Sequence, residues 1–321
     1  MAHDPDALFP SGPTTRRGLL SAFSRRAAEA IPVTDALAPR PADDPFSDDL
    51  FYEELDDEIE PFLSGPDLIA DIRASVDEPG MHVWWLGQSG FLVQIHGKNV
   101  LVDPYLSDSL TERYAGTDTP YERITDLVVD PALLSFVDVV IATNAQQDHL
   151  DPGTLPHVLA GEAAFLCAAG SEDVAAERAG RMPDAVLAIG EWATFGDFWI
   201  EAVPAYPGGA PEGVGYVVRN GAFTFYHAGD SRRIQGMAEA VTPYGVDVAF
   251  VPVNGRNGNM DGTDAARLAY EAGAGIAIPC HHEMFRCDNT GTARFVAECV
   301  RLGVEYRLPG AGERITIDYG A

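Results

Sequence analysis

The chain is short of lysine, of paired cysteines and of long apolar stretches. Lys98 is the only lysine in 321 residues, and Lys plus Arg number 21 against 49 Asp plus Glu, a formal net charge of −28. A surface this acidic repels phosphate backbones and anionic lipid, so neither nucleic acid nor membrane is expected as a partner. The four cysteines, Cys167, Cys280, Cys287 and Cys299, include no CxxC pair. That argues against a thiolate zinc site or a disulfide framework and fits a reducing, cytoplasmic setting. Cys280 adjoins His281 and could approach a metal, although a small buried apolar residue at a strand end is the plainer reading. No apolar run is long enough to span a bilayer. Thr15-Arg16-Arg17-Gly18-Leu19-Leu20 resembles a twin-arginine export signal, but its apolar stretch ends at Phe23, ahead of Arg25 and Arg26, too early for one.

What is present is a 46% hydrophobic chain with 32 Gly and 23 Pro, enough to bury a sizeable core and to make many turns. Residues 1–48 read as a peripheral segment, with a short basic helix over 14–30 and a Pro/Asp-rich linker over 32–48. Residues 49–80 read as an acidic helical extension, because Leu50, Phe51, Leu55, Ile59 and Phe62 recur at helical spacing among Glu and Asp. The organised domain is expected over 81–321. Three short β-type runs at 82–87, 91–96 and 100–103 form a meander, and 137–142 is a continuous apolar strand followed by a helix from Pro152. Strands at 198–203, 214–218, 222–226, 246–251 and 275–279, helices near 263–272 and 292–302 and a closing strand at 315–318 repeat the grammar. The pattern predicts an α/β four-layer αββα sandwich, two sheets face to face with helices outside.

Chemistry-bearing residues collect where buried strands end. Thr143-Asn144-Ala145-Gln146-Gln147-Asp148-His149 follows the strand at 137–142, Tyr226-His227-Ala228-Gly229-Asp230 closes another, and Cys280-His281-His282-Glu283 follows a third. Imidazole and carboxylate offered by three separate strand ends is what a metal site assembled from loops requires, and the mixture suits zinc, iron or manganese. Taken singly, His149 beside Asp148 could cap a helix and Asp230 could be a turn aspartate. Gly87-Gln88-Ser89-Gly90 lacks the spacing of a serine nucleophile elbow, and no helix follows it.

These segments, with Trp84-Trp85-Leu86-Gly87, Asp103-Pro104 and Val253-Asn254-Gly255-Arg256, occur in an order that resembles the metallo-β-lactamase-fold superfamily, and within it the L-ascorbate-6-phosphate lactonase-like branch. Residues 143–149 resemble its signature His-x-His-x-Asp-His. The resemblance implies a two-metal site of which this chain keeps half. Asn144 and Gln146 stand where the family has the first metal's histidines, and Pro207 where a third ligand commonly follows. The second set implied is Asp148, His149, His281 and the bridging Asp230, enough for one divalent ion: zinc first, with manganese or iron as alternatives. Asp148 and Asp230 are then the expected proton-handling carboxylates. Asn144, Gln146, Asn254, Arg256 and His282 are expected around a small-molecule substrate, while His227 orients Asp230. The function implied is a lactonase-like, metal-dependent hydrolase. A non-catalytic ligand- or protein-binding relative and a mononuclear iron enzyme are the alternatives, and homo-oligomerisation is left open.

Overall fold

The computed structural model describes residues 58–206 and 213–318. The expected helix over 14–30, the linker, the acidic run before residue 58 and Pro207 lie outside them.

Within the described part of the acidic extension, Ile59 pairs as an isolated bridge with Thr125 and Phe62 is 66% exposed, so neither sits on a helix face. The helix comes later, as α1 (Gly65–Ala74), with a proline in its first turn whose fixed φ suits that position. Leu68, Ile69 and Ile72 form its buried stripe.

The first sheet contains β1 (Met81–Trp85), β2 (Phe91–Ile95), β3 (Lys98–Val102), β4 (Val139–Ala142), β5 (Ala164–Ala168) and β6 (Ala185–Leu187), with the last strand of the chain at its edge. β1 to β3 are the expected antiparallel meander, and β3 to β6 run parallel. The short helices α2 (Ser109–Arg113) and α3 (Leu155–Val158), then α4 (Glu172–Ala179), fall between these strands. The helix expected from Pro152 shrinks to one turn. Asp151 instead accepts hydrogen bonds from Thr154 Oγ1, Gly153 N and Ser107 Oγ, and Gly161 passes so close to the Ser135 carbonyl that no side chain would fit.

The second sheet runs β12-β11-β10-β9-β8-β7, built from β7 (Trp192–Phe195), β8 (Phe198–Pro204), β9 (Val214–Asn220), β10 (Phe223–His227), β11 (Val248–Pro252) and β12 (Ile276–Cys280). β10, β11 and β12 are parallel and buried along their whole length. Helices α5 (Met237–Val241), α6 (Gly262–Ala272) and α7 (Ala293–Leu302) pack outside it, and β13 (Arg314–Ile317) returns to pair antiparallel with β1.

Two apolar cores follow. One joins α1, α3 and α4 to the first sheet and continues between the sheets, where Phe91 stacks on Phe250 with ring centroids 4.1 Å apart. The other lies between the second sheet and α5, α6 and α7. Each buried aromatic contributes roughly 1.5–3 kcal/mol by leaving water. The four layers are therefore those expected, and the C-terminal ends of β3, β4, β10 and β12 all deliver loops to one place, where α/β folds put their sites.

Candidate metal centre

The loops after β4, β10 and β12 bring Asp148, His149, Asp230 and His281 together. Ligand atoms of Asp148, His149 and His281 lie within 4.8 Å of one another. Asp230 stands among them, its Oδ2 3.3 Å from His149 Nε2 and its Oδ1 2.9 Å from His281 Nε2, while Asp148 Oδ2 is 3.7 Å from His149 Nε2. Four ligands about 2.1 Å from one ion would sit roughly 3.4 Å apart at tetrahedral angles. The observed spacings bracket that value.

The His149 ring is also oriented as a metal ligand would be. His149 is fully buried, and its Nδ1–H donates to Asp103 Oδ2 at 2.7 Å, which leaves Nε2 facing the centre. Asp103 is itself fixed by the backbone N–H and hydroxyl of Thr143, at 2.7 and 2.6 Å. Nε2 of His149 and Nε2 of His281 are both buried and make no hydrogen bond. Orphaned buried nitrogens are costly unless something outside the protein satisfies them, and a divalent ion between them would do so. The donor set fits such an ion.

Electrostatics agree. Burial works against a charged His149, yet the carboxylates of Asp230, Asp103 and Asp148 overcome it and hold its pKa well above the usual value. Burial likewise opposes a charged Asp230, but His149 and His281 hold its carboxyl well below the ordinary range. A buried pocket with this much carboxylate calls for positive charge.

Around the four stand further groups, some expected from the sequence (Gln146, His227) and some not (Gln88, Asn259). Gln88 Nε2 donates to Asp148 Oδ2 at 2.9 Å and lies 3.0 Å from His281 Nδ1. Asp230 accepts one amide on each oxygen, from Gln146 Nε2 at 3.2 Å and Asn259 Nδ2 at 3.0 Å. His227 Nδ1 accepts from Gly229 N while Nε2–H donates to the Ser89 carbonyl, a neutral tautomer that pins the turn leading to Asp230. Gly229 has φ +61°, and a Cβ there would lie 2.7 Å from Val214 O. Gln88, Asp103 and His281 are non-glycine residues held at φ +50°, +43° and +58°, a conformation that persists only where surrounding structure enforces it.

A cleft of ≈ 210 Å³ opens over the centre, lined by Asp148, Asp230 and His281 and also by Gln146 and Asn254, two of the five expected substrate contacts. The other three lie elsewhere. Asn144 Oδ1 accepts from Gln146 N at 2.7 Å and shapes the loop. Arg256 donates to the Cys287 carbonyl at 3.0 Å. His282 stacks on Trp85 with centroids 4.4 Å apart. Cys280 is fully buried, and burial pushes its thiol well above the usual range, as the structural reading of it requires.

Comparison with known proteins agrees with this architecture. The family model described as "Beta-lactamase superfamily domain" matches residues 82–281. The UPF0173 metal-dependent hydrolase of Methanopyrus kandleri is 29% identical, over 71% of this chain and 95% of its own length. Igni18, a metallo hydrolase from Ignicoccus hospitalis, superposes with a TM-score of 0.58 at 21% identity, covering 74% of this chain and 99% of that one. CmlA, a diiron beta-hydroxylase from Streptomyces venezuelae, superposes with a TM-score of 0.57 at 16% identity, covering 75% and 54%. The structural likenesses speak for the fold, and the family model extends from β1 to the last candidate ligand, His281. The chain belongs to the metallo-β-lactamase superfamily.

Proposed function

We propose that the chain is a lactonase-like, metal-dependent hydrolase that acts on a small metabolite through one divalent ion held by Asp148, His149, His281 and Asp230. The observation that carries the reading is the pair of buried, unbonded imidazole nitrogens converging on two carboxylates. Homologues named metal-dependent hydrolases support it. Zinc is the first choice, with manganese or iron also suited to two imidazoles and carboxylates. The four thiols, three of them buried and none paired, fit work in a reducing cytoplasm.

The ion would supply Lewis acidity and a lowered pKa for water at its open position. The protein's part is positional. Asp148, tied at one oxygen by Gln88, accepts the proton of the attacking water. Asp230 is held by Gln146, which stands where the family has a first-metal histidine, and by Asn259, so the carboxylate stays fixed without that ion. Asn254 presents a side chain to the cleft while its amide holds Asp288.

The test is turnover of a panel of lactones, esters and phosphodiesters with added Zn, Mn or Fe. Asp148→Ala should lower kcat/KM on the accepted substrate by about 100-fold or more. Retention of wild-type turnover by that variant would remove Asp148 from the chemistry, and no turnover with any metal would favour a binding role.

A further inference from the structure

Two guanidiniums line the same cleft: Arg113 from the end of α2 and Arg178 from α4. In a chain with 49 acidic residues, a basic side chain normally has a carboxylate beside it. Yet among the described residues, Arg113 and Arg178 form no ion pair. Their recorded bonds go to neutral oxygens. Arg113 Nη1 donates to Gln147 Oε1 at 2.7 Å, and Arg178 Nη1 donates to the carbonyls of Ala145, Gln146 and Leu150 at 3.0, 3.2 and 3.1 Å. Both side chains are thus held in place by neutral acceptors, with no carboxylate in direct contact and other donors to spare. Arg113 further lies over the Tyr114 ring, 5.5 Å from its centroid. The two cations are near enough that Arg113, after burial itself, helps lower the pKa of Arg178.

We propose that Arg113 and Arg178 form an oxyanion subsite, so that the substrate carries a carboxylate or a phosphate. The inference rests on the metal reading for its geometry, because the ion would fix the reacting end. It also follows from the charge of the cleft. The lining holds three carboxylates, Asp148, Asp230 and Asp288, against these two guanidiniums, a net charge of −1. A bound divalent ion reverses that to +1, so the loaded cleft attracts an anion while the rest of the surface repels it. Guanidinium is the group best matched to a bidentate oxyanion. The volume of ≈ 210 Å³ limits the ligand to a small metabolite. Tyr121 lines the same wall, and burial pushes its hydroxyl up to about 12, so it stays a hydrogen-bond donor at neutral pH.

The experiment titrates inorganic phosphate and malonate calorimetrically into metal-loaded and chelator-stripped protein, wild type and Arg113→Gln, with metal content measured on each sample. Arg113 is exposed at a helix end, so its replacement leaves the fold and the metal ligands alone. Wild type should bind at least one of the anions about tenfold tighter than the variant in both metal states, at equal metal content. Whichever anion is bound tighter names the substrate's charged group. Equal affinity of wild type and variant in the loaded protein would place the anion on the metal alone and overturn the subsite. Should the protein hold no metal yet still discriminate Arg113→Gln, the subsite stands and the hydrolase reading falls.

Discussion

Asp103 shows how much of the centre is decided one bond away from the ligands. Its carboxylate takes the Nδ1–H of His149 and two donors from Thr143, which fixes the ring and makes Nε2 the more basic atom toward the ion. Replacing it with alanine, Asp103→Ala, should weaken metal binding by 10- to 100-fold, read by competition against a chromogenic chelator. Unchanged affinity would mean that His149 needs no such support. At this scale the sequence was partly legible. Asp148, His149, Asp230 and His281 could be named because each follows an apolar strand in a recognisable order. Gln88, Asn259, Asp288 and Arg178 could not, since isolated amides and acids, and a lone arginine on the helix α4, carry no spacing signal. Asn144 was expected at the substrate because it stands where the family has a first-metal histidine, and His282 because it adjoins His281, but the local packing turns both side chains to other partners. One closes a turn and the other stacks on Trp85.

Among the elements, α7 carries a test of the electrostatics away from the centre. Glu298 accepts from Arg267 of α6 at 2.7 Å and from Arg301, one turn on, at 2.6 and 2.7 Å. Arg301 first, against the cost of burial, and then Arg267 hold the Glu298 carboxyl down at about 2. A carboxyl whose pKa is lower folded than unfolded stabilises the fold fully above its unfolded pKa of about 4.3, and that contribution disappears as the pH falls toward 2. Urea unfolding at pH 7 and pH 3 should therefore show a larger loss for wild type than for Glu298→Gln. Equal losses would deny the three-residue cluster a role in joining α6 to α7. The long strands and the amphipathic α6 and α7 were legible from period and apolar runs. β5, β6, β7 and α4 were not, because segments of three to eight residues, such as Ala164–Ala168, are too short for their pattern to separate strand from helix.

For the molecule as a whole, the fold and the site are two readings of the same strand ends. The sandwich buries β4, β10, β11 and β12 completely, and from these rigid strands three loops bring the four candidate ligands together. No helix among the described residues is long and apolar enough to cross a membrane. The overall acidity then sets the cleft apart, because a divalent ion together with two arginines would make it a local reversal of a chain of net charge −28. The layered architecture was legible from alternating strands and helices, whereas the cleft's charge was not, since it depends on residues brought from α2, α4 and the segments after β4, β10 and β12. The most direct measurement is metal content by plasma mass spectrometry on purified protein, for wild type and a His149→Ala/His281→Ala variant. One equivalent of a divalent metal in wild type and none in the double variant is the expected result. Two equivalents in wild type, or none in any preparation, would contradict it.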